Sequence, residues 1–235
     1  PIALRAVARA HPGSDDGPVL SQPVLHQTVQ IPCLVGAMKI RVLNGGHQIV
    51  ANAGEVLSIA TIAECLAHPQ IGAFFAKVAR EEIVPHLTAV PGMAPFEYVE
   101  LIKERFSNPR IIDTTRRVAF DGSSRHPGFV IPSIKDGIAR GTSVSGLGLA
   151  EAIWARMCAG KREDGSEIEA NDPFWGDLNA VALQASSSPG VWLSQRKYYG
   201  DLADNSLFAE AFSGWLTMIW EHGVEAAMSR YLRDE

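Results

Sequence analysis

Cysteine is scarce in this 235-residue chain, and the three present, Cys33, Cys65 and Cys158, are odd in number and widely separated. Without Cys-x-x-Cys spacing they build neither a disulfide framework nor an ordinary zinc site, so free thiols in a reducing compartment, the cytoplasm, are expected. Long apolar runs are missing too. None approaches the ~20 residues of a membrane span, and no signal-peptide pattern is recognisable at the start, so no membrane partner is expected. Positive charge is short: 21 lysines and arginines against 26 acidic residues give a net charge of −5, which offers no field to nucleic acid. The seven histidines form no metal-binding cluster. Glu82 and His86 are expected to meet as a surface pair four residues apart rather than as ligands, and no catalytic metal is expected. A dinucleotide fingerprint is absent as well. The nearest string, Gly146-Leu147-Gly148-Leu149-Ala150-Glu151, has glutamate where a third small residue belongs and no strand before it, so it reads as a helix N-terminus.

What the chain does have is apolar content of 46% with 20% charged residues, the balance of a globular protein rather than a disordered one. His11-Pro12-Gly13-Ser14-Asp15-Asp16-Gly17-Pro18 is rich in turn formers and marks residues 1–30 as a linker or leader, with a helical domain expected over 31–235. Apolar residues recur at three and four over Phe74 to Leu87, Phe96 to Phe106, Arg110 to Phe120, Ile131 to Ala139, Leu147 to Ala159, Phe174 to Ala185 and Phe208 to Tyr231. Thr61-x-x-Glu64 fits a capping box. Strand-like alternation is missing, so the fold class is mainly α. Trp154, Trp192, Trp215 and Trp220 fall in these helices and are expected in the core.

One segment carries chemistry. On a helix of 100° per residue with Lys39 at the origin, His47 falls at ~80° and Asn44 at ~140°, among Leu43, Ile40 and Val50. Arg41, Gln48 and Asn52 fall on a narrow stripe expected to face water, which places lysine, amide and imidazole on the packed side. Burial disfavours an ammonium, and a lysine that is partly neutral can take a proton from an alcohol. Asn44 and a neutral His47 both donate and accept, and can hold a hydroxylated carbon beside it. Gly45 and Gly46 imply a close approach by a ligand or a neighbouring backbone. The same spacing also fits a snorkelling lysine, a hydrogen-bonded core histidine and a helix crossing at the glycines.

The string Lys39-x4-Asn44-x2-His47 within MKIRVLNGGH resembles the active-site signature of the mannitol dehydrogenase family, the polyol-specific long-chain dehydrogenases. A second block, Arg116-Arg117-Val118-Ala119-Phe120-Asp121-Gly122-Ser123-Ser124-Arg125, is similar to that family's RRVA-x-DGS-x-K segment. Glu151 to Met157, Arg162 to Gly165 and Asn171-Asp172-Pro173 also resemble its C-terminal region. The resemblance implies the multi-helical C-terminal domain of a two-domain enzyme whose Rossmann nucleotide-binding domain is not in this chain. It further implies metal-independent, NAD- or NADP-dependent oxidation of a polyol to a ketose by an enzyme that is a monomer when complete, the cofactor being held mainly by the other domain. Lys39 is then the general base, Asn44 and His47 hold the reacting oxygen, and Arg117, with Arg125, binds remote hydroxyls.

The two arginines also have readings of their own. Asp121 to Ser124 makes a tight turn whose side chains can cap the next element, with Arg117 one turn before it, where a clamp on a carbonyl or carboxylate is the structural alternative. Arg125 stands where the family has lysine, and Gly36 where it has a glutamate tied to proton release. A hexuronate reductase or sugar-phosphate dehydrogenase of the same superfamily, and a non-catalytic helical binding module, are the alternatives.

Overall fold

A computed structural model describes residues 36–233. The turn-rich stretch at 11–18, the boundary placed at residue 30, and Cys33 lie outside the described residues. Within them the chain is helical, and its extended pairing is confined to isolated bridges such as Thr61 with Thr114.

Because α1 (Gly45–Val56) continues directly from a π-helical turn over Lys39–Asn44, the first long helix is not wound uniformly. In a π turn the hydrogen bond spans five residues, as in Gly45 N–H to the Ile40 carbonyl, so positions five apart come to the same side. The regular 100° projection fails here. Lys39 is exposed, Asn44 and His47 are half-buried, and Gln48 and Asn52, expected in water, are each 1% exposed. Gly45 and Gly46 do mark a close approach. A Cβ on Gly45 would stand 3.1 Å from the Phe129 carbonyl oxygen, and one on Gly46 2.5 Å from the Phe75 ring.

The capping box forms at the start of α2 (Ile62–Ala67): Glu64 N–H donates to Thr61 Oγ1 and Thr61 N–H to the Glu64 carboxylate. The expected helix from Phe74 to Leu87 is instead α3 (Pro69–Val78), a π turn over Ala79–Ile83 and a 3₁₀ turn over Val84–His86, because Pro85 has no N–H to continue the ladder. After α4 (Pro95–Phe106), only α5 (Thr115–Val118) forms where a helix from Arg110 was expected. Backbone bonds from Ile62 N–H to Asp113 and from Thr115 N–H to Ala60 tie residues 113–115 to the turn before α2 instead.

The Asp121 turn leads into α6 (Gly122–Arg125), then a π turn over His126–Val130 and α7 (Ile131–Ala139). Asp121 takes φ +60° and makes no side-chain cap. Asp172 supplies it from across the fold, accepting Ser123 N–H at 2.7 Å. The centre of the molecule is α8 (Ser145–Cys158), buried on every side from Gly146 to Cys158. An all-round buried helix needs partners on several faces, and α1, α9 (Trp175–Ala185) and α12 (Ser206–His222) supply them. Between α9 and α12 lie the short α10 (Gly190–Leu193) and α11 (Arg196–Tyr199). The last expected helix divides at Gly223, φ +89°, into α12 and α13 (Val224–Arg233), and Glu163 accepts Val224 N–H at 2.6 Å.

Glu82 and His86 are not a surface pair. Both are buried, and the Glu82 carboxylate accepts Gly146 N–H at 2.7 Å and Leu147 N–H at 2.8 Å, capping α8, while Tyr231 donates to it at 3.1 Å. Burial raises its pKa more than those donors lower it. Trp154 and Trp192 are core as expected, but Trp215 and Trp220 are only half-buried.

Since Phe75 is fully buried, Gly46→Ala pushes a methyl into a ring with little room to move. A loss of about 1–3 kcal/mol is expected from overpacking, read as a lower urea midpoint. An unchanged midpoint would mean that the α1–α3 contact yields at this point.

Candidate active site

The π turn delivers Asn44, and the first turns of α1 deliver His47 and Gln48, to one cavity of about 230 Å³. Arg125 and Phe129 complete its wall. Arg125 also lines a second cavity of about 450 Å³ with Thr114, Arg116, Arg117, Phe120 and Asn171. Four of the five expected site residues, Asn44, His47, Arg117 and Arg125, thus line two cavities with one wall in common. Lys39 lines neither, and the burial expected for it from helical periodicity is not present among the described residues.

Each cationic side chain is held. Arg125 donates to the Val118 carbonyl at 2.7 Å, and Gln48 Nε2 donates to the same oxygen at 2.9 Å, so the two sit in fixed relation. Arg117 is exposed and ion-pairs with Asp113, the carboxylate clamp named as its structural alternative. Arg116 donates to the Glu169 and Ala170 carbonyls. Gln48 was missed because the wheel put it in water. Its Oε1 is buried and has no partner among the described residues.

His47 stacks on Phe106, ring centroids 4.2 Å apart. Burial, then the charges of Arg105, Arg117 and Arg125, lower its pKa from 6.5 to about 4. At neutral pH it is an uncharged imidazole in a positive field.

Behind this wall runs a buried polar chain that sequence reasoning did not find. Trp192 Nε1 donates to Tyr199 Oη at 2.6 Å, and Tyr199 donates to Glu151 Oε2 at 2.8 Å. The other carboxylate oxygen of Glu151 is 2.7 Å from His126 Nδ1, and His126 Nε2 is 2.8 Å from Asn52 Nδ2. With Nδ1–H donating to Glu151, Nε2 is left to accept the Asn52 amide. His126 also stacks on Trp154 at 4.1 Å.

The family model for the C-terminal domain of mannitol dehydrogenase matches residues 36–220. The chain belongs to the mannitol dehydrogenase family. It is 45% identical over 196 residues to a mannitol 2-dehydrogenase of Cereibacter sphaeroides, covering 83% of this chain and 41% of that protein. A mannitol dehydrogenase of Saccharomyces cerevisiae is 32% identical over 197 residues, covering 83% and 39%. The mannitol 2-dehydrogenase of Pseudomonas fluorescens, solved as a ternary complex with NAD and D-mannitol, superposes with a TM-score of 0.80 at 25% identity, over 86% of this chain and 41% of that one. A D-sorbitol dehydrogenase in substrate-free form gives 0.75 at 25% identity, over 82% and 40%. The chain therefore spans about two fifths of these mannitol dehydrogenase relatives, and its fold is that of their helical C-terminal domain.

The depressed His47 pKa has a stability consequence. Between pH 6.5 and 4 the unfolded chain takes up a proton at this histidine that the folded chain refuses, so stability falls as pH drops through that window and levels off below it. The loss is up to about 3 kcal/mol. Urea midpoints measured against pH should show it, and His47→Gln should remove that part of the slope. A His47 ring titrating near 6.5 by NMR would contradict the positive, desolvated setting.

Proposed function

We propose that this chain is the polyol-binding and proton-abstracting part of a metal-independent, NAD- or NADP-dependent dehydrogenase that oxidises a secondary alcohol of a mannitol-type polyol to a ketose. The observation that carries it is a neutral His47 held with Asn44 and Arg125 around one cavity under the field of three arginines. Oxidising an alcohol builds negative charge on its oxygen as the proton leaves. Fixed donors and positive charge aimed at that oxygen lower the barrier.

In this reading Lys39 takes the hydroxyl proton. Asn44 and His47 hold the oxygen from which it leaves, and being uncharged His47 can accept as well as donate. Arg125, with Arg117 along the second cavity, receives hydroxyls further down the polyol. A hydride must leave the same carbon, and a nicotinamide accepts it when bound. In this reading the cofactor is held mainly by another domain, and the described residues, which form no strand–turn–helix cradle for a dinucleotide's phosphates, serve chiefly the polyol. The family relationship supports the reading, as does the complex that the Pseudomonas fluorescens enzyme forms with NAD and D-mannitol.

The test is oxidation of a panel of polyols and short secondary alcohols, with NAD and with NADP, by the intact dehydrogenase polypeptide. Lys39→Ala is expected to lower turnover on every alcohol by roughly a hundredfold or more, within the range of general-base contributions. Its urea midpoint should hold, because Lys39 is exposed. Turnover within about tenfold of the parent would move the base elsewhere. No oxidation of any polyol would leave the non-catalytic binding module as the better reading.

Arg117→Ala separates recognition from chemistry. One lost charge-assisted hydrogen bond, about 1.5–3 kcal/mol, should cut kcat/KM roughly ten- to hundredfold on long polyols and leave short alcohols nearly untouched. Equal losses on both would mean that Arg117 serves the fold through Asp113, and the hydroxyl-binding assignment would be withdrawn.

A further inference from the structure

A cavity of about 590 Å³, larger than either at the candidate active site, opens between the C-terminal end of α8, the loop over 159–168, α9 and α12. Its volume is that of a small-molecule site. Three basic residues, Arg156, Lys161 and Arg162, line it against one acidic residue, Glu167. Arg162 is committed to Glu55 and to the Glu167 carbonyl. Arg156 is not so committed.

Arg156 is 8% exposed, and among the described residues no carboxylate lies within ion-pair distance of it. Glu163 acts on it only at longer range and is itself occupied by Val224 N–H. One guanidinium nitrogen donates to the Lys161 carbonyl, and the group lies 4.7 Å over the Trp220 ring. A guanidinium has five N–H donors, and among the described residues only one of its nitrogens has a hydrogen-bond acceptor, the Lys161 carbonyl. Trp220 Nε1 is a second buried donor without a partner. An unpaired cation, Arg156, and two indoles, Trp175 and Trp220, line one cavity. Asn179 Nδ2 donates to the Cys158 carbonyl at the C-terminal end of α8 at 2.9 Å.

We propose that this cavity binds a small organic anion carrying a flat ring, of mononucleotide size, with its anionic group on Arg156 and Lys161 and its ring against Trp175 and Trp220. Arginine and lysine recognise phosphate or carboxylate, and the indoles supply apolar faces for a ring. The inference is independent of the polyol chemistry, since the cavity shares none of Asn44, His47, Arg117 or Arg125.

The probe is adenosine monophosphate, with adenosine and inorganic phosphate as its two halves, titrated into the folded chain by calorimetry and tryptophan fluorescence. Saturable binding of the nucleotide is expected, with each half at least about tenfold weaker. Lys161→Glu, at an exposed position, should weaken it by about tenfold or more, and Arg156→Gln further, while Arg125→Gln leaves it unchanged. Should Arg156→Gln fail to fold, Leu183→Trp, at the exposed rim, fills the cavity and should abolish binding. The proposal is overturned by no saturable binding up to about 10 mM, by binding that survives both Lys161→Glu and Leu183→Trp, or by loss in Arg125→Gln, which would put the ligand in the candidate active site.

Discussion

The buried carboxylate of Glu151 is the constraint around which the site is arranged. It is wholly buried in the middle of α8, where an unpartnered charge would cost several kcal/mol. Its two oxygens are satisfied only when Tyr199 and His126 arrive together, one from α11 and one from the π turn after α6. His126 then needs Asn52 from α1 at its other nitrogen. Four separate stretches of chain are brought into register by one group.

The register matters because the same stretches carry the site. Asn52 lies one helical turn after Gln48 and less than two after His47, and His126 is the neighbour of Arg125. The Val118 carbonyl, accepting from both Gln48 and Arg125, ties the two from the other side. The cavity wall is therefore clamped at its back by a buried polar chain, in which Asn52 Oδ1 is left without a partner among the described residues, and at its side by a shared acceptor. A buried network whose bonds form together in only one arrangement favours that arrangement over other compact ones. Preorganisation of this kind is what an oxyanion-stabilising site requires, since donors that must move as charge develops lose much of their effect.

Helix content was legible in the sequence where a segment's own period decides it. Ile131 to Ala139 ends where its pattern does, the Thr61–Glu64 box caps α2, and Gly146 reads correctly as the start of a helix. Of the chemistry-bearing residues, Asn44, His47 and Arg125 line one cavity, and Arg117 a second that shares Arg125 with it. What could not be read are features decided by partners far along the chain. The caps of α8 and α6 come from Glu82 and Asp172, and Glu151 finds His126 across 25 residues and Tyr199 across 48. Nothing in the local pattern around Gln48 and Asn52 distinguishes a water-facing stripe from one buried against a second layer. The π turn is a different obstacle: it changes the period itself, so a projection at 100° per residue loses its phase within the segment where the phase mattered most.

That turn also divides the site's work. Residues C-terminal to it are fixed by packing: His47 against Phe106, Gln48 against Val118, Asn52 against His126. Lys39, at its start, is exposed and touches none of that framework. General-base work by a lysine draws on desolvation of its ammonium, and the described residues supply it to His47 but not to Lys39. Gly36 adds no carboxylate on the same turn, and a side chain built there meets nothing within 4 Å. If the proposed function holds, recognition of hydroxyls falls to this fixed wall. In the proposed reading, proton removal depends on whatever covers Lys39 once a polyol is bound, so polyol affinity and the pH dependence of turnover should answer to different parts of the structure.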